Sequence, residues 1–125
     1  WRSESCARLA RDRVRMGLPN RWWRETTLNA KWGLAPTYPR VLIVPRQFDD
    51  DFVQKAAVQR SLSRFPVLSF LHPRNKAPVC RSAQPMMGMT SRSMPEDEAY
   101  LHGILSCAIA INGAAQLHIV DARPQ

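Results

Sequence analysis

The stretch VLIVPRQFDDDFVQKAAVQRSLSRFPVLSFL, residues 41–71, decides the fold class. It opens on Val41-Leu42-Ile43-Val44, a short β-branched run stopped by Pro45, which is the pattern of a buried strand. Asp49, Asp50 and Asp51 come next, where a helix N-terminus takes negative charge. Good helix formers run from Phe52 to about Ser63, with Val53, Ala56 and Ala57 on one face and Lys55 and Arg60 late, as the dipole prefers. Residues 65–71, with Pro66 at their start, read as a second strand. Strand, helix, strand is an α/β arrangement.

Working outward, His72-Pro73-Arg74-Asn75-Lys76 is a turn, and residues 77–83 are a third, shorter strand that pairs with the second as a hairpin. Residues 85–92 carry Met86, Met87 and Met89 around Gly88; we read a loop packed on the core, not a metal or cofactor box, since Met mostly fills gaps. Ser93-x-x-Glu96 is a capping box with Pro95 in the first turn, and Leu101, Ile104, Leu105, Ala108 and Ile111 recur at the helical period before Asn112-Gly113 closes the helix. Residues 117–120 predict a final strand leading into Asp121-Ala122-Arg123-Pro124-Gln125.

On the other side, residues 3–16 predict a short amphipathic helix with Cys6, Leu9, Ala10 and Val14 as an apolar stripe and arginines outside; Gly17 and Pro19 stop it. Residues 20–39, with Trp22, Trp23, Trp32 and Tyr38, have poor periodicity and read as extended or irregular chain, with Thr37-Tyr38-Pro39 extended. The organisation expected is a basic helix and aromatic lead-in over residues 1–36 and core strands and helices over 37–125.

Composition narrows the function classes. At 125 residues the chain forms one small domain at most, and 45% apolar residues exceed what a disordered chain carries. The longest apolar stretch, residues 99–111, is interrupted by His102, Gly103 and Ser106 and is too short for a bilayer. The first residue is Trp1 and no apolar signal segment opens the chain, so a piece of a longer protein is expected. A net charge of +8 favours polyanionic partners: nucleic acid, anionic membrane or phosphorylated substrates. Cys6, Cys80 and Cys107 are odd in number and widely spaced, which argues against a zinc site, a redox motif or a disulfide framework and for a reducing compartment.

The chemistry-bearing patterns are mostly negative. A cysteine phosphatase needs a thiolate in a loop of backbone amides with an Arg six positions on. Six positions after Cys6, Cys80 and Cys107 stand Asp12, Met86 and Gly113. No Walker loop, G-x-G-x-x-G or G-x-S-x-G occurs, and His72, His102 and His118 lack metal-ligand spacing. The carboxylate runs Asp49-Asp50-Asp51 and Glu96-Asp97-Glu98 read as helix N-terminal charge in preference to a metal site. Seven arginines from Arg2 to Arg24, followed through by Trp22 and Trp23, suit single-stranded nucleic acid; a solvated helix face before buried tryptophans is the plainer reading. The residues therefore nominate no catalytic residue, no substrate-binding residue, no metal ligand and no cofactor.

Several segments in order carry a resemblance. They are Gly17-Leu18-Pro19-Asn20 with Trp23-Arg24 and Asn29; Thr37-Tyr38-Pro39 with Val44-Pro45; the run from Arg64 to Pro73; Arg81-Ser82-Ala83-Gln84-Pro85 with Gly88; Glu96-Asp97-Glu98-x-Tyr100-Leu101; and Asp121-Ala122-Arg123-Pro124. Together they resemble the leading part of the myotubularin phosphatase domain, and six in sequence are hard to reach by chance. Phe70 stands where that family usually has Trp.

The resemblance implies an incomplete α/β domain of the protein tyrosine phosphatase superfamily. It implies a parent that removes the 3-phosphate from phosphatidylinositol 3-phosphate and its 3,5-bisphosphate through a cysteinyl-phosphate intermediate. The C-x5-R loop would follow well downstream of Asp121-Ala122-Arg123-Pro124, so this chain alone is expected to be inactive. Implied partners are a phosphoinositide lipid on a membrane surface, reached through the parent, and other family members in homo- or hetero-oligomers. The implied location is cytoplasmic, peripheral on endosomal or other intracellular membranes. Two alternatives stand beside this: an inactive family member acting as scaffold or regulator, and a small basic nucleic-acid-binding module, with nucleic acid the less favoured partner.

Overall fold

The computed structural model describes residues 2–84 and 95–121, with side chains from residue 7 onward. Its elements run α1 (Arg2–Arg15), β1 (Trp23–Thr26), β2 (Leu42–Pro45), α2 (Asp50–Ala57), a 3-10 turn (Ser61–Ser63), β3 (Val67–Leu71), β4 (Pro78–Arg81) and α3 (Pro95–Asn112). This is a mixed α/β structure with two small sheets, each of two antiparallel strands.

The β-branched run forms β2, buried along its whole length. Its partner is β1, in the register Trp23 to Pro45 through Thr26 to Leu42. The aromatic lead-in reads in sequence as extended or irregular chain, without a regular element assigned to it; residues 23–26 of it form a strand. They do so because Trp23 and Thr26 both turn inward and are almost fully buried, while Glu25 faces out. Within Thr37-Tyr38-Pro39, Thr37 departs from the extended chain expected: it lies in a turn closed by Tyr38 N donating to the Ala35 carbonyl (3.0 Å).

Helix α2 starts as the three aspartates predict. Asp49 is extended at the N-cap and its carboxylate accepts from Phe52 N at 2.8 Å. Val53, Ala56 and Ala57 are its buried face. The helix is shorter than predicted and ends at Val58. Arg60 is already extended, and Leu62 and Ser63 take positive φ in the 3-10 turn, which redirects the chain into Phe65 and β3. Strands β3 and β4 form the expected hairpin, with the pairing shifted between Leu68 and Phe70 so that Ser69 is the extra residue of a bulge.

Helix α3 buries Asp97, Tyr100, Gly103, Ile104, Cys107 and Ala108. That stripe is rotated from the predicted one: Leu101, Leu105 and Ile111 are only half-buried. Phe48 stacks on Tyr100 (5.4 Å between centroids) and Phe52 (4.6 Å), and Phe65 meets Tyr100 edge-on at 5.7 Å. Gly103 makes this possible, since a Cβ there would meet the Phe48 ring. Gly113, at φ +77°, ends the helix as expected.

The strand predicted over residues 117–120 is absent. The segment is irregular and exposed, Val120 to 84%, and none of the described strands pairs with it. A β-branched run becomes a strand only against a neighbour. Residues 85–94, with the three methionines and Ser93 of the capping box, lie outside the described residues, as do Ala122-Arg123-Pro124.

Candidate functional site

Most of the quoted segments converge on one polar junction. Asn29 is fully buried; its Nδ2 donates to the Pro39, Ala35 and Tyr38 carbonyls (2.7, 3.0 and 3.2 Å) and its Oδ1 accepts from Ala35 N. The loop over residues 29–39 is thereby closed by one amide. It delivers Tyr38, whose hydroxyl donates to the Phe65 carbonyl at 2.8 Å and lies 3.2 Å from that of Arg81. Ala83 N donates to the Arg64 carbonyl at 2.8 Å, binding the end of the hairpin to its beginning. Burial pushes the Tyr38 hydroxyl above its ordinary range, against the opposing pull of the nearby Arg64, Arg81 and Arg60 guanidiniums.

Arg60 and Asp97 form the centre of the next layer. Arg60 Nε and Nη2 donate to the two oxygens of Asp97 at 2.6 and 2.9 Å, and Nη1 reaches the Ala83 carbonyl at 3.0 Å. Both residues are buried, Arg60 at 8% and Asp97 at 5% exposure. Gln59 completes the seam: its Nε2 donates to Glu96 and its Oε1 accepts from Asp97 N. Sequence reasoning read Glu96-Asp97-Glu98 as helix-end charge, and gave no sign that Asp97 is the buried counter-ion of a residue 37 positions earlier.

At the other end, Asn20 Oδ1 accepts from Trp22 N and Trp23 N, and Arg24 bridges the Phe48 carbonyl to Asp50 (2.8 Å). Thr26 also donates to Asp50. Burial alone would raise the Asp50 carboxyl, but the Arg24 and Thr26 hydrogen bonds outweigh it and hold it below the usual carboxylate range.

Cys107 is buried and its thiol lies 3.7 Å from the Trp22 carbonyl. Burial pushes Cys80 up to about 12 and Cys107 up to about 11, so both stay protonated at neutral pH and neither is a thiolate nucleophile. His72 serves the hairpin turn, its Nδ1 accepting from Arg74 N at 3.2 Å, while His102 and His118 are exposed. No group of three or more His, Cys, Asp or Glu among the described residues is placed to hold a metal. Arg8, Arg11 and Arg15 are exposed on α1, whereas Trp23 is 1% exposed and unavailable for base stacking. No helix of the described residues is long and apolar enough to cross a membrane.

The described residues also form a cleft. It occupies about 450 Å³ between α1, the segment over residues 37–43 and the β3–β4 hairpin, and Arg13, Arg64 and Arg81 stand on its wall.

Residues 2–125 match the family model described as the myotubularin-like phosphatase domain. The chain is 42% identical over 113 residues to the phosphatidylinositol-3,5-bisphosphate 3-phosphatase MTMR2 of Mus musculus, covering 88% of this chain and 17% of that protein. It is 42% identical over 111 residues to the myotubularin of Xenopus tropicalis, covering 88% and 18%. The chain thus spans less than a fifth of the length of these curated relatives.

Proposed function

Since the chain belongs to the myotubularin-like phosphatase family, whose domain is of the protein tyrosine phosphatase type, we propose that it is the leading framework of such a domain in a longer phosphoinositide 3-phosphatase. The observation that carries this reading is the match over residues 2–125, together with 42% identity to a protein named for hydrolysing the 3-phosphate of phosphatidylinositol 3,5-bisphosphate. The substrates are phosphatidylinositol 3,5-bisphosphate and phosphatidylinositol 3-phosphate, met on the cytoplasmic face of endosomal or other intracellular membranes.

The division of labour follows from the residues present. No cysteine has an Arg six positions on, and the Cys80 and Cys107 thiols are held protonated. The chain therefore contributes no nucleophile. Its buried seams, Asn29 with the 35–39 carbonyls and Arg60 with Asp97, fix the strands and helices on which a nucleophile loop from the rest of the protein would rest.

The test has two arms. The 125-residue chain, given vesicles of either lipid, releases no inorganic phosphate. The longer protein releases it, and loses that activity when the cysteine of its C-x5-R loop is changed to serine. Cysteine-dependent release by the short chain would overturn the division of labour. A longer protein without a C-x5-R loop would overturn the enzymatic reading in favour of an inactive scaffold.

A further inference from the structure

We propose that the cleft between α1 and the β3–β4 hairpin is an oxyanion-binding site, with the Arg64 and Arg81 guanidiniums gripping a carboxylate or a phosphate. Two arginines of the same junction make the case by contrast. Arg60 presents Nε and Nη2 side-on to both oxygens of Asp97, the fork geometry that guanidinium favours. Arg64 carries the same planar group four residues later and lines the cleft; its guanidinium meets the Tyr38 hydroxyl, but its buried Nε has no hydrogen-bond partner. A buried N–H without a partner destabilises the structure unless a ligand satisfies it.

The carboxylates nearby are engaged elsewhere. Asp12, on the cleft wall, pairs with Arg15 at 3.7 Å, and Glu25 pairs with Arg13 at 3.4 Å. Asp50 and Asp97 are likewise taken up, by Arg24 and Arg60. The Arg64 and Arg81 side chains line the same cleft, with Arg13 beside them. A space of about 450 Å³ admits a phosphate or a carboxylate with room to spare. The assignment rests on the cleft's own groups and stands whether or not the longer protein is an active phosphatase.

The two sources of an oxyanion are a side-chain carboxylate of further polypeptide and a phosphate-bearing small molecule. Acetate and inorganic phosphate stand in for them in titrations of the 125-residue chain at constant ionic strength, read on the Arg64 Nε–H resonance by NMR. The resonance moves saturably, and Arg81→Gln weakens binding by about tenfold, the loss of one charge-assisted hydrogen bond. Arg81 is exposed and only its backbone carbonyl supports Tyr38, so this variant keeps the fold. Arg74→Gln, on the exposed hairpin turn, leaves binding unchanged. Tighter acetate assigns a protein carboxylate, tighter phosphate a phosphorylated ligand, and equal binding an unselective oxyanion site. No saturable movement with either anion, or an equal loss in Arg74→Gln, overturns the proposal.

Discussion

Asp97 accepts two charge-assisted hydrogen bonds from Arg60, and both residues are buried. Removing one charge leaves the other buried and unpaired, a loss of about 3–5 kcal/mol. Asp97→Asn should therefore unfold at much lower denaturant concentration, while a matched apolar pair at 60 and 97 should recover most of the difference; equal behaviour of single and double variants would refute this. Tyr100 makes the opposite case. It is fully buried, and its hydroxyl finds no hydrogen-bond partner. Tyr100→Phe keeps the stacking on Phe48 and the edge contact with Phe65 and sheds an unmet polar group, so we expect a gain of about 1 kcal/mol in urea unfolding. Neither partner assignment was legible in the sequence. Asp97 and Asn29 were visible only as members of motifs, because a pairing across dozens of residues leaves no periodic trace.

Among the elements, α3 turns on Gly103. Alanine in a helix interior normally adds about 1 kcal/mol over glycine. Here the added methyl meets the Phe48 ring, itself pinned between Phe52 and Tyr100. Overpacking wins, and Gly103→Ala should cost about 1–3 kcal/mol in the same assay. At α2, the Arg24 and Thr26 hydrogen bonds hold the Asp50 carboxyl below the ordinary carboxylate value. Its contribution is present above that ordinary value and disappears as pH falls through the depressed one. The stability gap between the wild type and Asp50→Asn should accordingly narrow on acidification, and a gap independent of pH would show that Arg24 gains nothing from the charge. Elements with their own local signal were readable: β2 from its β-branched run, α2 from its aspartate cap, the hairpin from its turn. Strand β1 was not, since Trp23-Arg24-Glu25-Thr26 has no repeat long enough to show a period and its partner lies beyond an irregular loop. Residues 117–120 had the composition of a strand without the neighbour that makes one.

At the scale of the molecule, the two sheets of the described residues have two strands each and open edges among those residues, and Phe70 and Val79, paired across the hairpin, are 47% and 53% exposed. Ile119 and Val120 add further apolar surface. Such edges and patches invite association. The 125-residue chain should sediment as a concentration-dependent oligomer, and Val79→Lys should raise the monomer fraction; a monomeric wild type at high concentration would count against this. The overall α/β class was readable because strand and helix periods differ, whereas the cleft was not, being the product of three distant segments. The Arg60–Asp97 pair also bears on the history open to this sequence. Either substitution alone exposes the lineage to a steep loss of stability, while both together can be nearly neutral. The two positions are locked against gradual change: a descendant that has escaped the pair must have crossed a fitness valley or altered both codons while some other mutation held the fold in reserve.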